Sequence, residues 1–212
     1  MMLIGTAALA QPSLGVGFLN SKTTLKMSLG IGSVNPEANL NGFYVGGSYN
    51  IPLGSSGLGV APGLYFSYQT ANDVNLIDVK VAQLKLDRLS ESYLSVPIDV
   101  NFMLAFSDDV KGLIYAGPRF SYGLTSKAKY GDTVYNIYSG DLKSGDYETG
   151  SEYLKDLADY KRFDVQIGGG VGVEFFNQFR FTVGYDLGLC DRGPSDVEIK
   201  RNQFTVGVSY LF

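Results

Sequence analysis

Histidine and tryptophan are absent from this 212-residue sequence, cysteine occurs once, and only 18% of the residues are charged. The lack of histidine excludes every histidine-dependent triad, dyad or metal cluster. The single Cys190 excludes an intramolecular disulfide framework and any multi-cysteine zinc site. No run of 18 apolar residues occurs, so no transmembrane helix is expected. A net charge of −4 and a pI near 4.8 argue against a broad basic surface, and no nucleic-acid partner is expected. In contrast, 45% of the residues are hydrophobic, with 27 Gly, 15 Tyr and 13 Phe. That composition excludes a disordered chain.

Residues 2–10 are short and apolar and end in Ala8-Leu9-Ala10, an A-x-A pattern followed by Gln11. They read as a signal-peptide remnant over 1–10, without its basic region, ahead of one domain over 11–212. An apolar first strand is the alternative reading of the same residues.

The dominant signal is alternation with period 2. It predicts strands over 14–19, 42–51, 58–68, 93–106, 110–125, 163–175, 179–190 and 202–212. In each, one face holds no charged residue and no Asn, Gln, Ser or Thr. Between Leu94 and Phe106, for example, the even positions are Leu, Val, Ile, Val, Phe, Leu and Phe. The charged strand residues Asp99, Lys111, Arg119, Asp164, Glu174, Arg180 and Asp186 all fall on the opposite face.

Such alternation suits a soluble barrel with an oily interior or a membrane barrel with an oily exterior. Three features favour the second. The polar face is glycine-rich, as the crowded interior of a narrow barrel requires. Aromatic residues gather near the strand ends (Phe106, Tyr122, Phe163, Phe175, Phe179, Tyr210, Phe212), like the girdles at membrane interfaces, with Tyr and Phe standing in for the missing Trp. The connections also alternate. Short ones at 52–57, 107–109 and Asn177-Gln178 intersperse with long ones at 20–41, 69–92, 126–162 and 191–201, as periplasmic turns and outside loops do. The expected fold is therefore all-β, an eight-stranded antiparallel up-and-down transmembrane barrel in the outer membrane of a Gram-negative bacterium. Pro62, Pro97 and Pro118 fall inside predicted strands, where bulges would accommodate them.

Several stretches resemble a Bacteroidota outer-membrane β-barrel family that includes PorT-like proteins. Tyr93-Leu94-Ser95-Val96-Pro97-Ile98 is similar to that family's Tyr-Leu-x-Ile-Pro-Leu strand. Tyr115-Ala116-Gly117-Pro118 resembles its next strand, and Phe163-Asp164 followed by Gly168-Gly169-Gly170 and Gly172 resembles its sixth. Gly207-Val208-Ser209-Tyr210-Leu211-Phe212 resembles its terminus. An alternating final strand ending in Phe also resembles the targeting signal that such barrels present to their insertion machinery. The resemblance covers residues 11–212. It implies the fold and the location; some members resemble accessory proteins of secretion or gliding.

The hairpin turns fix the register of the lumen. Matching Phe175 with Phe179 sets Glu174 opposite Arg180 and Gly168 opposite Asp186. Matching Phe106 with Val110 sets Pro97 opposite Arg119, with Asp99 as a diagonal neighbour within reach. Asp99, Arg119, Asp164, Glu174, Arg180 and Asp186 thus form an expected lumen charge network. Its plainer meaning is a set of ion pairs filling a plugged interior. The functional alternative is a charged path for a small ion or solute. No catalytic, cofactor-binding or metal-binding residue is assigned, since carboxylates would have to act alone and no catalytic motif is present. Gly168-Gly169-Gly170 lacks the lysine and helix of a phosphate loop and reads as close packing. Cys190 is expected at the outer end of its strand.

Of the loops, 127–162 carries Tyr130, Tyr135, Tyr138, Tyr147, Tyr153 and Tyr160, candidates for recognition because tyrosine buries much area at low entropic cost. The same residues could instead stabilise strand extensions. Tyr153, Leu154, Leu157 and Tyr160 have helical spacing. Residues 70–92 are too apolar for a solvated loop, and extend the neighbouring strands or meet a partner. The expected role is non-enzymatic, structural or in recognition through the outside loops. A narrow channel or an accessory subunit of a secretion machine are the alternatives. The expected partners are outer-membrane lipid and a protein bound by the loops, on a monomeric barrel without a cofactor.

Overall fold

A computed structural model describes residues 11–29, 32–34, 37–54, 56–79, 82–138, 141–143, 161–193 and 197–212. The expected signal-peptide remnant and the helical spacing from Tyr153 to Tyr160 lie outside these residues.

The strands are β1 (Gln11–Leu29), β2 (Gly32–Val34), β3 (Glu37–Pro52), β4 (Leu58–Val79), β5 (Ala82–Ala105), β6 (Val110–Tyr130), β7 (Thr133–Asn136), β8 (Asp141–Lys143), β9 (Phe163–Phe175), β10 (Phe179–Gly188) and β11 (Val197–Leu211). Eight of them close a ring in the order β1, β3, β4, β5, β6, β9, β10, β11, with β11 returning to β1. All neighbours are antiparallel. Closure leaves no sheet edge for lipid to satisfy.

The apolar face points outward. Leu14, Val171, Ile114 and Phe181 are each more than 50% exposed, as an exterior bathed in hydrocarbon allows. Both rims carry aromatics. Phe179, Tyr210 and Phe212 stack edge to face at the end nearest the short turns, and Phe43 lies 6.1 Å from Tyr68 at the other. The strand residues 94–106 rise ~30 Å along the barrel axis at the usual tilt of ~40°, enough to cross the hydrocarbon.

The turn from β9 to β10 holds Phe176 and Asn177 with φ of 54° and 55°, closed by the Gln178 N–H donating to the Phe175 carbonyl at 3.0 Å. Two consecutive positive φ values make this a type I′ turn, whose twist matches its strands.

The strand prolines cause no bulge. The ladders pause beside Pro62, Pro97 and Pro118 and resume in unchanged register, for instance from Pro97↔Arg119 to Val100↔Ala116. A missing N–H costs a ladder bond without requiring an extra residue. The register shifts that do occur fall between Asn75 and Ile77 and between Ser92 and Tyr93.

Most of the expected long loops are strand. β1, β4, β5 and β6 run well past the predicted ends, and 69–79 pairs with 82–91 as two projecting strands. Above Asn41↔Thr70 β3 and β4 part, while on the other side Arg162, Lys161 and Arg192 carry backbone hydrogen bonds from Gly123 of β6 across to Ile199 of β11. The described residues thus form two walls, β3, β1 and β11 facing β4 to β8, joined along that side. Between them lies an apolar core of Ala38, Leu40 and Ile199 from the first wall and Ala71, Val74, Leu86, Leu89, Ala128, Tyr135 and Ile137 from the second. Asp73, with φ 55°, breaks the alternation so that Ala71 and Val74 both turn inward.

Candidate functional site

The lumen carries its charges in three tiers. Nearest the short turns, Arg180 donates to Glu174 at 2.9 Å, and Lys111 lies 3.5 Å from the same carboxylate. The pairing Glu174↔Arg180 is the one that the turn register predicts.

In the middle, Arg119 donates its Nε to Asp186 at 3.0 Å. Pro97 lies opposite Arg119 as expected, but Arg119 reaches across β9 to Asp186 rather than to the diagonal Asp99. Asp99 and Arg119 instead line a cavity of about 90 Å³ with Tyr44, Tyr65, Tyr115 and Arg180. Glycines make room for these rings: a Cβ at Gly17 or Gly207 would enter Tyr44, and one at Gly170 or Gly184 would enter Tyr115. Gly168 faces the Asp186 carboxylate in the same way. The glycine run is therefore wall packing, not a phosphate loop.

The outermost tier is the largest. Asp164 pairs with Arg201 at 3.1 Å, both almost wholly buried. The approach lacks hydrogen-bond alignment, so charge alone holds it. The Arg201 guanidinium lies over the Tyr93 ring, 3.9 Å from its centre. The Tyr93 hydroxyl donates to Glu91 at 2.7 Å and accepts from Arg192 at 3.1 Å. Glu91 also receives Gln69 at 2.9 Å and Ser126 at 3.3 Å. Arg192 further donates to the Tyr138 hydroxyl at 2.8 Å, and Arg162 donates to the Tyr138 carbonyl at 3.1 Å. Burial, then the neighbouring Tyr93, pushes the Tyr138 hydroxyl well above its ordinary pKa. This tier closes the lumen beneath the apolar core.

Sequence reasoning placed Asp164 here but missed Glu91, Tyr93, Arg192 and Arg201 as its companions. Glu91 and Arg201 share the parity of the inward face, so continuing the alternation past 93 and 202 points to them. Arg192 lies between strands, where no period exists.

Of the tyrosine candidates, Tyr135 and Tyr138 face inward, Tyr135 within the apolar core. They brace the outer walls. Tyr130 pairs with Thr133 at the turn into β7. Tyr147, Tyr153 and Tyr160 lie outside the described residues. Cys190 is half-buried just past β10, and its thiol is free. Among the described residues, no three His, Cys, Asp or Glu side chains gather as metal ligands do.

The outer membrane protein β-barrel domain family matches residues 10–192. The chain belongs to that family. Among curated proteins, none matches this sequence. Among solved structures, the barrel domain is similar to the outer membrane protein OprG of Pseudomonas aeruginosa, with 11% identity, 95% of each chain covered and a TM-score of 0.51. It is similar also to the outer membrane protease OmpT of Escherichia coli, at 11% identity over 98% of each chain with a TM-score of 0.46. The attachment invasion locus protein Ail of Yersinia pestis matches at 13% identity over 96% of this chain and 99% of its own, with a TM-score of 0.41. At these identities the likeness is one of fold alone. Family, fold and outward apolar face together place the barrel domain in a Gram-negative outer membrane.

Proposed function

We propose that the protein is a non-enzymatic surface barrel that presents its outermost segments for recognition by a protein partner. The observation that carries this reading is the second, apolar-cored layer above the lipid. A chain needing only an anchor has no use for walls continued beyond the bilayer and packed on Leu40, Leu86 and Tyr135. That core, with the Arg192–Tyr138–Arg162 clamp beneath it, gives the outer walls a rigid base. The lumen carboxylates support the non-enzymatic reading, because Asp164, Glu174 and Asp186 each face a cation. Deleting 144–160, which spares β7, β8 and Tyr138, is expected to abolish cross-linking to a partner on intact cells while the barrel inserts and resists proteolysis as before. Failure to insert, or unchanged cross-linking, would count against the proposal.

The cavity between the charge tiers gives the channel reading one observation of its own. The closed outer tier weighs against it, and planar bilayers are expected to stay silent. Discrete conductance that changes with Arg119→Ala would reverse that ranking. The likeness to Bacteroidota PorT-like barrels supports an accessory role in secretion as a special case of partner binding. Co-isolation with envelope proteins would favour that role, and repeated recovery of a lone monomer would remove it.

A further inference from the structure

The acidic composition hides a local exception on the outer wall. Where the exterior leaves the lipid, the outward residues turn polar together: Tyr68 gives way to Thr70, Leu94 to Ser92 and Leu124 to Thr125. Ser92 and Thr125 hydrogen-bond across this border at 2.7 Å. The next outward rung on β5 and β6 pairs Ser90 with Lys127, and the one above it pairs Arg88 with Lys129. All three cations are exposed. Like charges set directly opposite on a sheet repel.

Among the described residues, no carboxylate pairs with them. Arg88 donates its Nε to Asn72 at 3.2 Å, and among the described residues neither lysine forms an ion pair. The nearest acids in sequence are Asp87, which accepts the Gly131 N–H at 2.7 Å, and the exposed Asp132 in the same turn. The opposite wall at this height is different: Lys22 pairs with Glu37 at 2.8 Å, and Lys200 pairs with Glu198. Among the described residues, one side of the barrel pairs its border cations with carboxylates and the other does not.

We propose that Arg88, Lys127 and Lys129 form a contact for the phosphate-bearing headgroup of an outer-leaflet glycolipid. Position selects this occupant over a soluble one. Lys127 lies three residues above Leu124, which is ~10 Å along the strand and ~8 Å along the bilayer normal at the usual tilt. The headgroup layer adds ~6 Å to each side of the hydrocarbon, so Lys127 stands at its outer edge and the rung of Arg88 and Lys129 stands ~5 Å beyond it, from where their long side chains reach down. Lysine and arginine stems are long enough to reach down past Ser90, Ser92 and Thr125 while their charged ends stay in the polar layer. A phosphate between Arg88 and Lys129 would turn their repulsion into a shared contact, with the arginine fork supplying two parallel donors.

The test uses the full-length barrel folded in neutral detergent. Lipid A bearing two phosphates is expected to raise its thermal unfolding midpoint by about 5 °C at saturation. The variant R88Q/K127Q/K129Q should unfold at the wild-type midpoint without lipid and lose more than half of that rise. Dephosphorylated lipid A should give none of it. The variant K22Q/K200Q, on the opposite wall, should keep the whole rise. An equal rise in R88Q/K127Q/K129Q, or with dephosphorylated lipid A, would overturn the proposal. So would the same rise from inorganic phosphate alone, which would assign the cluster to a free anion.

Discussion

The two storeys of this barrel use the same strands with opposite chemistry. Below the rung of Asn20, Asn41 and Thr70, outward residues are apolar and the lumen holds Arg119, Asp186, Glu174 and Arg180. Above it, outward residues such as Lys22, Asn39, Arg88 and Lys127 are polar, while Leu40, Val74, Leu86 and Ile199 fill the inside. Each side of the wall matches its solvent. In hydrocarbon the oily side must face out and charges must find partners within. In water the ordinary hydrophobic effect returns and the oily side turns in. The tier of Asp164, Arg201, Tyr93, Glu91 and Arg192 is the junction, a polar floor under an apolar room.

Breaking that floor should have the largest effect. Arg201→Ala leaves Asp164 buried without its cation and is expected to destabilise the barrel by about 3–5 kcal/mol in detergent unfolding. Replacing both, as Arg201→Met with Asp164→Leu, should recover most of the loss. The upper core comes next: Leu40→Ala or Leu86→Ala is expected to cost about 2–5 kcal/mol. Limited proteolysis should then cut the outer walls while the membrane segment stays protected. A cut distributed over both storeys would show that they do not differ as described.

On the lipid face, Val171→Arg at mid-bilayer should cost about 2–4 kcal/mol of insertion stability, whereas Ser90→Arg, on the same exterior but above the border, should cost under about 1 kcal/mol, the repulsion of Lys127 opposite it included. Equal costs would erase the border.

The smallest effect concerns Asp191, beyond β10. Burial works against its charge, but hydrogen bonds from the Ile199 and Gly193 N–H groups outweigh it and hold its pKa below the ordinary carboxylate value. A depressed carboxylate contributes stability at pH above its unfolded value of ~3.9 and loses it as pH falls through the folded value. The Ile199 amide resonance is therefore expected to shift only below pH ~3.9, and not at all in that range in Asp191→Asn.

The difference between the storeys also explains what could be read in the sequence. The strands of the lower storey were legible because one face is uniformly apolar, and a one-residue slip would expose every polar side chain to lipid. The tight turns then fixed the register, so Glu174↔Arg180 and Gly168↔Asp186 followed by counting. The predicted strands ended at 19, 42, 68 and 93 because the exterior turns polar there and the alternation changes its meaning. Residues 70–92 looked too oily for a loop since their Leu and Val belong to an interior, not to a surface. Asp73 and the shift at Asn75 and Ile77 blur the period further. Arg192 gave no sign, because a residue between strands has no parity to obey.

From the residues alone came the closed eight-stranded ring, its oily exterior and the neighbours of its lower charges. Those follow from local periodicity and from a solvent that tolerates no unpaired backbone. Only the folded chain decided that Arg119 turns to Asp186 rather than Asp99, that Arg192 descends from a connection to cap Tyr93, and that the walls part above the lipid around a second core. These choices join residues on different strands or beyond strand ends, and distance in space between such residues is set by ring closure and strand tilt, which no single segment contains.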